Sequence, residues 1–296
     1  MTRAIVEVEV QVLVDNNAGD MRLLAEHGFS ALVKARFDDS SEFKFLYDTG
    51  GGTPALDYNL KVLEKDLSSV QMIILSHGHY DHSAGVLKLI KMTGTPFPVL
   101  CHPDALLHKI FTSDDGKRHE VGIHRFYDES ELTSSTEVIT TKEPHKVADG
   151  IMTTGVVPRS NDFEILTGIL EKIKTVHEGK EVPDRIEDDL SVIFHMKDDS
   201  VVILTGCCHS GIVNTTEQAI NLTGSTSKIG IIGGLHLHDA SNRRLTKTVE
   251  SLKNYSFTTL APCHCTGLRG RAALMHAFGE SFKDIGSGST LKFTSE

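Results

Sequence analysis

Tryptophan, long hydrophobic runs and an apolar leader are all missing from this sequence of 296 residues. No stretch approaches the ~18 consecutive apolar residues that a membrane-spanning helix requires. The first ten residues, MTRAIVEVEV, lack the apolar block of a secretory signal peptide. We therefore expect a cytoplasmic protein that makes no contact with a membrane.

A surplus of positive charge is missing as well. The chain has 30 Lys and Arg against 40 Asp and Glu, a formal net charge of −10. Because nucleic-acid binding relies on a broad basic surface, this balance argues against such a partner. Short basic runs, such as Arg243, Arg244 and Lys247, leave a local nucleic-acid contact as an alternative. We expect a small-molecule substrate; the sequence does not indicate an oligomeric state.

Cysteine is scarce and odd in number, with five residues in the chain. Secreted disulfide frameworks usually have an even number of cysteines in a short chain. The cysteine content therefore favours the reducing environment of the cytoplasm.

The pattern of apolar residues predicts an α/β protein. The stretches AIVEVEVQVLV, FSALVKARF and FKFLY alternate or cluster apolar residues as strands do. Later apolar strands alternate with helical segments, which is typical of a mixed sheet layered with helices. A helical piece is predicted around PDALLHKIF. Residues 160–188 are charged and partly helical in pattern, and we interpret them as a surface insertion in a single domain that spans residues 1–296.

Histidine is abundant instead, with sixteen residues, and three of them lie in the stretch SHGHYDHSAG. Neutral imidazoles and carboxylates are the usual ligands of zinc, iron or manganese in catalytic sites. Asp81 has an alternative role as the N-cap of the following helix, but that role leaves the histidines unexplained. The stretch predicts a metal site in which His77 and His79 reach one ion and Asp81 and His82 reach a second.

Several other apolar strands end in loops that contain polar residues. FLY ends at Asp48, VVIL ends at TGCCH with His209, and TTL ends at PCHC with His264. Ligands of α/β proteins gather where strands end and loops begin. If these ends are neighbours, His209 and His264 join the histidine cluster. His236 ends the strand IGII and is either a substrate contact or an ordinary buried histidine.

The motif His77-x-His79-x-Asp81-His82 resembles the metal-binding signature of the metallo-β-lactamase superfamily. The early strand that ends at Asp48, the apolar strand before the motif and the late His264 also resemble that family. The resemblance implies a four-layer αββα sandwich of two mixed sheets flanked by helices, with a two-metal site along one edge.

The same resemblance implies roles for these residues. The implied ligands are His77 and His79 for one ion, and Asp81, His82 and His264 for the other. Asp48 would fix the ring orientation of a ligand histidine, and Asp81 would also act in catalysis. A metal-activated hydroxide would attack an ester, lactam, lactone or phosphoester. The implied cofactors are two divalent ions, with zinc favoured and iron or manganese also compatible.

Two positions depart from the family pattern. Members usually have a third histidine in a PGHT-like turn and a bridging aspartate at a TGD-like strand end. The segment MTTGVVPRS has no histidine, and Cys207 stands where the aspartate would be. We predict that His209 completes the ligands of the first ion. Other residues remain alternatives as ligands or site contacts: a thiolate of Cys207 or Cys208, or a carboxylate of Asp188 or Asp189. For the two cysteines, buried apolar packing is favoured over a ligand role.

The stretches TGCCHSGIVN, IIGGLHL and APCHCTG resemble a branch of the superfamily. The branch includes archaeal dihydropterin-6-yl-methyl-ribofuranosylaminobenzene-phosphate synthases of methanopterin biosynthesis and proteins described as metal-dependent hydrolases. Arg159, Phe163 and Glu164 also resemble this branch. Arg159 is then a candidate for binding an anionic substrate group, because a guanidinium matches phosphate and carboxylate.

The sequence therefore favours a metal-dependent hydrolase, with a pterin–arylamine transferase as the alternative. A nuclease and a non-catalytic, metal-bearing ligand-binding protein are weaker alternatives. Strand alternation predicts that Cys263 and Cys265 point away from the site. Histidines outside the motif and the strand ends, including His27 and His238, are interpreted as ordinary structural residues.

Overall fold

The computed structural model describes residues 2–52, 54–225 and 227–295, and β-strands dominate them. The strands are β1 (Ile5–Val14), β2 (Ser30–Phe37), β3 (Glu42–Tyr47), β4 (Ile73–Ile74), β5 (Val99–Cys101), β6 (Lys109–Thr112), β7 (Arg118–Glu120), β8 (Val138–Thr140), β9 (Lys146–Ala148), β10 (Ile151–Thr153), β11 (Ile173–His177), β12 (Lys180–Pro183), β13 (Val192–His195), β14 (Val201–Thr205), β15 (Ile229–Gly234), β16 (Phe257–Cys263) and β17 (Thr290–Thr294). The α-helices are α1 (Ala55–Val62), α2 (Tyr80–Ser83), α3 (Val86–Thr93), α4 (Glu129–Ser135), α5 (Ile212–Thr223), α6 (Asn242–Leu252) and α7 (Gly267–Phe278). Short 3₁₀ helices span Pro103–Leu106, Ile123–Arg125, Leu170–Lys172, His264–Thr266 and Gly279–Ser281.

Two mixed sheets form the centre of the molecule. The first has the strand order β17-β1-β2-β3-β4-β5-β8 and the second the order β16-β15-β14-β13-β10-β9. In the first sheet β1, β2, β3 and β17 pair antiparallel, whereas β3, β4, β5 and β8 run parallel. In the second sheet β14, β15 and β16 run parallel and the remaining strands pair antiparallel.

The two sheets pack face to face over an apolar core, in which the rings of Phe45 and Phe194 stack at a centroid distance of 6.2 Å. Helices α1, α3 and α4 cover the outer face of the first sheet. Helices α5, α6 and α7 cover the outer face of the second. Each sheet is thus buried on both faces, as its runs of β-branched and aromatic residues require. The predicted four-layer αββα sandwich is confirmed.

A third sheet, with the strand order β12-β11-β6-β7, was not predicted from the sequence. Residues 160–188 were expected to be partly helical, but they contain only a 3₁₀ turn and the hairpin of β11 and β12. The helix predicted around PDALLHKIF is likewise a 3₁₀ turn followed by β6. The hairpin forms because Glu178 and Gly179 both adopt positive φ, 48° and 77°, as a two-residue primed turn requires.

Within the described residues, no helix has the length and apolar content needed to cross a membrane. All five cysteines lie in the described part, and each is buried and free of a disulfide.

Candidate metal centre

The site is built from loops at the ends of strands from both large sheets. The motif loop follows β4, and further loops follow β3, β14, β15 and β16 at the same end of the sandwich. Asp48, Cys208, His236 and His264 lie in these loops with positive φ between 44° and 58°. Residues other than glycine rarely adopt this conformation. Such local strain is typical of backbone that is held to direct side chains into a functional site.

Three histidine nitrogens meet in a first cluster. The Nε2 atom of His77 lies 2.9 Å from Nδ1 of His79 and 3.3 Å from Nε2 of His209. All three residues are buried. A tetrahedral zinc ion with Zn–N bonds of about 2.05 Å would separate its ligand nitrogens by ~3.3 Å. The spacing and chemistry of this first cluster therefore fit one divalent ion.

A carboxylate and two histidines form a second cluster beside the first. Nε2 of His82 lies 3.1 Å from Nε2 of His264. Oδ2 of Asp81 lies 3.6 Å from the first of these nitrogens and 3.5 Å from the second. Asp81 lies inside α2, whose N-cap position is His79, so Asp81 is not an N-cap. The second cluster has the donor set of a second divalent ion.

The tautomers of the second cluster can be assigned from its hydrogen bonds. Nδ1 of His82 lies 2.7 Å from Oδ2 of Asp48, and Nδ1 of His264 lies 2.9 Å from Oδ1 of Asn16. The amide oxygen of Asn16 is identified by the N–H of Gly28, which donates to it at 3.3 Å. Both Nδ1 atoms therefore carry the hydrogen in the neutral rings. The two Nε2 lone pairs then face each other and repel. A cation between them would remove this repulsion.

The electrostatics of the site favour a cation at the second cluster and neutral imidazoles elsewhere. Burial by itself lowers the pKa of His82, but the carboxylates of Asp81 and Asp48 raise it to about 9. Burial opposes ionisation of Asp81, but His82 and the other nearby histidines lower its pKa to about 2. For the remaining ligand candidates burial is the main cause that lowers the pKa, and these are His77, His79, His209 and His264. Neutral imidazole is the form that binds a metal.

Cys207 lies at the boundary of the two clusters. Its Sγ is 3.2 Å from Nε2 of His82. It also lies close enough to histidine nitrogens of both clusters to share a metal ion with them. Cys208 points the other way, into the core under α5, where its Sγ is 3.3 Å from Oγ1 of Thr215. Burial raises the pKa of the Cys207 thiol well above its usual range. The apolar role expected for both cysteines therefore describes Cys208, whereas the sulfur of Cys207 lies close to histidine nitrogens of both clusters.

The prediction that Cys263 and Cys265 both point away from the site was wrong for Cys265. Its sulfur groups with His264 and Cys207, and it lines the cavity above the clusters. Strand alternation does not apply to Cys265, because β16 ends at Cys263 and a 3₁₀ turn follows. Cys263 lies in the core between the sheets.

The adjacent carboxylates of Asp188 and Asp189 are buried behind the first cluster, and neither lies in an exposed loop. Oδ2 of Asp188 accepts the backbone N–H of Gly78 at 2.8 Å. Oδ2 of Asp189 accepts the N–H of Ser210 at 2.9 Å. Each aspartate thus holds one of the two loops that carry the first cluster's histidines.

A cavity of about 460 Å³ opens over both clusters. Besides the cluster residues, its lining includes three further histidines, His27, His236 and His238, and apolar side chains in or next to the third sheet. The ring of His236 lies 4.4 Å from that of His209, and Nε2 of His27 lies 3.4 Å from Oδ2 of Asp81. The sequence interpretation missed His27, His238 and Asn16. One available signal was His236-x-His238, which repeats the spacing of His77-x-His79.

Arg159 is not among the described residues that line this cavity. Its Nη2 instead donates to the carbonyl oxygen of Ile186 at 3.5 Å. Glu164 accepts the N–H groups of Val213 and Asn214, each at 2.9 Å, and so anchors the first turn of α5. Phe163 packs in the core on the outer face of the second sheet. The structure does not bring these three residues into the site, in contrast to His236.

Comparison with known proteins agrees with this geometry. Residues 44–160 match the family described as "Beta-lactamase superfamily domain". An uncharacterized protein of Methanocaldococcus jannaschii is 32% identical over 265 residues, covering 90% of this chain and 93% of that protein. A 7,8-dihydropterin-6-methyl-4-(beta-D-ribofuranosyl)-aminobenzene-5'-phosphate synthase of the same organism is 25% identical over 288 residues, covering 97% of each chain.

Among solved structures, a metal-dependent hydrolase of the beta-lactamase superfamily is 25% identical to this chain. The two superpose with a TM-score of 0.80, covering 97% of this chain and 99% of that one. A diphosphatase from the PhnP family has a TM-score of 0.51 at 12% identity and shares the fold.

Proposed function

Because this chain belongs to the metallo-β-lactamase superfamily, whose members are typically metal-dependent, we propose that it is a metal-dependent hydrolase. The substrate would be a small molecule with an ester, lactam, lactone or phosphoester bond. The observation that carries this proposal is the pair of adjacent ligand clusters, each with three donor atoms from buried side chains. The cavity of about 460 Å³ above them is of a size for a small molecule.

The donor set indicates which atoms would hold two divalent ions. One ion would take Nε2 of His77, Nδ1 of His79 and Nε2 of His209, and the other Oδ2 of Asp81 and Nε2 of His82 and His264. The sulfur of Cys207 is within reach of both groups, and a thiolate there would favour zinc over iron or manganese. Ions bound there would lower the pKa of water from ~15.7 towards ~7 and polarise the substrate's carbonyl or phosphoryl oxygen.

Residues around the clusters have supporting roles in this proposal. Asp48 and Asn16 hold the rings of His82 and His264 with their Nε2 lone pairs directed inward. Asp81 faces the cavity and is placed to orient the attacking water and to accept its proton. His27 and His236 lie on the cavity wall and are placed to donate hydrogen bonds to polar groups of the substrate.

Metal analysis and a substrate panel test this proposal together. Protein purified without added metal should contain two equivalents of divalent metal per chain. It should hydrolyse at least one of a panel of esters, lactams, lactones and phosphodiesters. Removal of the metal by a chelator should abolish that activity, and zinc should restore it. Full activity in metal-stripped protein would contradict the proposal.

A transferase is the second candidate, and the synthase from Methanocaldococcus jannaschii supports it because the similarity covers 97% of each chain. Such an enzyme would join a pterin diphosphate to an arylamine ribose phosphate, with release of diphosphate. Incubation with both partners, followed by mass spectrometry, distinguishes the candidates. A condensed product favours the transferase, whereas hydrolysis products alone favour the hydrolase. Tight metal binding without any product would favour a non-catalytic ligand-binding protein.

A further inference from the structure

A fully buried lysine lies between two aspartates next to the first ligand cluster. Lys109 in β6 is 0% exposed. Its Nζ donates to Oδ2 of Asp184 at 2.8 Å and to Oδ1 of Asp188 at 3.1 Å. Burial alone lowers the pKa of Lys109, but the two carboxylates raise it above its usual value, so the side chain stays charged. These three residues form a buried charge triad.

Stability of the fold does not by itself account for the buried charge triad. Taking three charges out of water is unfavourable, and apolar side chains of similar volume are often as stable or more stable. Both oxygens of Asp188 are engaged, one by Lys109 and the other by the backbone N–H of Gly78 at 2.8 Å. Gly78 lies between His77 and His79, so the triad contacts the metal-binding motif directly.

The motif loop is also held against its neighbours on the other side of Gly78. A Cβ atom at this position would collide with the carbonyl oxygen of Ala105, so the loop packs tightly against the 3₁₀ turn of residues Pro103–Leu106. With the backbone held on one side by this turn and on the other by Asp188, the peptide between the two histidines has little freedom. The positions of both histidine rings depend on that peptide.

Two residues of the triad are hydrogen-bonded through their backbones to residues that line the cavity. The backbone carbonyl of Lys109 accepts the N–H of Val121, and the N–H of Asp184 donates to the carbonyl of Ile173 at 3.0 Å. Val121 and Ile173 line the cavity together with residues of both clusters. The N–H of Tyr80, the first residue of α2, donates in turn to the carbonyl of Val121 at 2.9 Å. The region of the third sheet and the metal-binding loop are therefore linked twice, by the contact of Lys109 with Asp188 and by this backbone bond.

We propose that Asp188, held in place by Lys109, is a positioning residue that sets the geometry of the first cluster for its metal ion. The carboxylate fixes the Gly78 peptide and adds negative charge close to the ion. Asp189 holds the other loop in a similar way, but its Oδ1 has no hydrogen-bond partner among the described residues. This inference rests on the metal binding assumed in the proposed function, but it does not depend on the reaction catalysed.

The experiment compares Asp188→Asn with Asp184→Asn. Both substitutions keep the size of the side chain and remove one charge that contacts Lys109, but Asp184 does not touch the metal-binding loop. We expect Asp188→Asn to weaken binding of the first-cluster ion by ~10–100-fold, as loss of a supporting residue typically does. Asp184→Asn should weaken it by less than ~3-fold. Chelator competition on folded protein measures both values.

Cobalt substitution provides a spectroscopic readout that a purely structural role would not change. The visible absorption of one of the two Co²⁺ ions should shift in Asp188→Asn and stay as in the unmodified protein in Asp184→Asn. Equal metal affinities and equal spectra in the two variants would overturn the proposal. Two bound metals without hydrolysis in the unmodified protein would contradict the proposed function and leave the positioning role intact.

A third variant covers the case in which Asp188→Asn does not fold. Lys109→Met combined with Asp184→Asn and Asp188→Asn removes all three charges together and leaves no unpaired buried charge. The same ~10–100-fold loss of affinity for the first-cluster ion is expected. An unchanged affinity in this triple variant would overturn the proposal.

Discussion

The two ligand clusters differ in how their histidines are held. In the second cluster, the outer nitrogens of His82 and His264 each donate to a side-chain oxygen, from Asp48 and Asn16. In the first cluster, Nε2 of His79 and the outer nitrogen of His209 have no partner among the described residues. A side-chain acceptor fixes both the tautomer and the rotation of a ligand ring, and it raises the basicity of the ligand.

Within the described residues, only His77 of the first-cluster histidines has a side-chain partner at its outer nitrogen, because its Nδ1 lies 2.9 Å from Oγ of Ser76, and the loops of this cluster are held through the backbone. Asp188 accepts the N–H of Gly78, and Asp189 accepts the N–H of Ser210. Such bonds fix the loops but give the rings of His79 and His209 no side-chain acceptor at the outer nitrogen. We therefore expect the second cluster to bind its ion more tightly than the first, and the following experiments test that difference.

Removal of one ligand from each cluster should have the largest effect. Asp81→Ala should lose the ion of the second cluster, and His79→Ala the ion of the first. Each variant should retain about one metal equivalent and lose activity on the order of 10³-fold, since one ion contributes several kcal/mol to the transition state. Elemental analysis and steady-state kinetics measure the two effects.

The control for these ligand variants is His276→Ala, because this histidine is exposed in the last turn of α7. It should keep two metal equivalents and full activity. More than a tenth of the original activity in Asp81→Ala would argue against two ions that act together.

Loss of a side-chain acceptor should affect mainly the second cluster. Asp48→Asn removes the carboxylate that faces Nδ1 of His82 at 2.7 Å. The affinity for the second-cluster ion should fall by ~10–100-fold, with a smaller loss at the first cluster, which Asp48 reaches only through Oγ of Ser76 and Nδ1 of His77. Chelator competition with cobalt-loaded protein measures both. The exposed Asp66→Asn serves as the control, and equal losses at both clusters would show that Asp48 acts on the fold rather than on one ion.

The unmodified protein should release its two ions in separate steps. With increasing chelator the first-cluster ion should leave first, at a concentration about tenfold lower than the second, because the outer nitrogens of His79 and His209 lack hydrogen-bond partners among the described residues. Metal content measured along the titration shows the two steps. The ligand variants assign each step to a cluster. A single step, or release of the second-cluster ion first, would contradict the expectation that the second cluster binds its ion more tightly.

The smallest effect is expected at the cavity wall. His27 lies beside Asp81 of the second cluster, whereas the ring of His238 lies 4.9 Å from that of His236 on the side of the first. His27→Ala or His238→Ala should raise KM by ~3–10-fold, the loss expected for one hydrogen bond to the substrate. Metal content should stay the same. A change in kcat alone would place the altered residue in the chemistry rather than in substrate binding.

Much of the fold was predictable because it follows from local periodicity. The alternation in β1 and β2 and the apolar runs before His77 and His209 show which segments are strands. The third sheet was not predictable in the same way. The pairing of β11 with β6 joins segments more than sixty residues apart, and the charged composition of 160–188 gave no periodic signal that separated strand from helix.

Within the site, spacing along the chain led to the ligand candidates but not to the residues that hold them. Asn16 and Asp188 have no motif, and only the folded chain brings them to His264 and Gly78. Cys265 was misjudged because strand alternation ends where β16 turns into a 3₁₀ helix. The sequence around His27 contains no motif, and only the folded chain brings its ring to Asp81 in the wall of the cavity.

The sequence by itself determined which segments form the main strands and the cluster from His77 to His82, because both depend on residues close together in the chain. Only the tertiary structure decided how that cluster is completed. It placed His209 and His264 against it, moved Cys207 to the boundary of the two clusters and excluded Arg159 from the cavity. The physical reason is that metal ligands must meet within a few ångströms, and loops from strands far apart in sequence meet only once both sheets have packed.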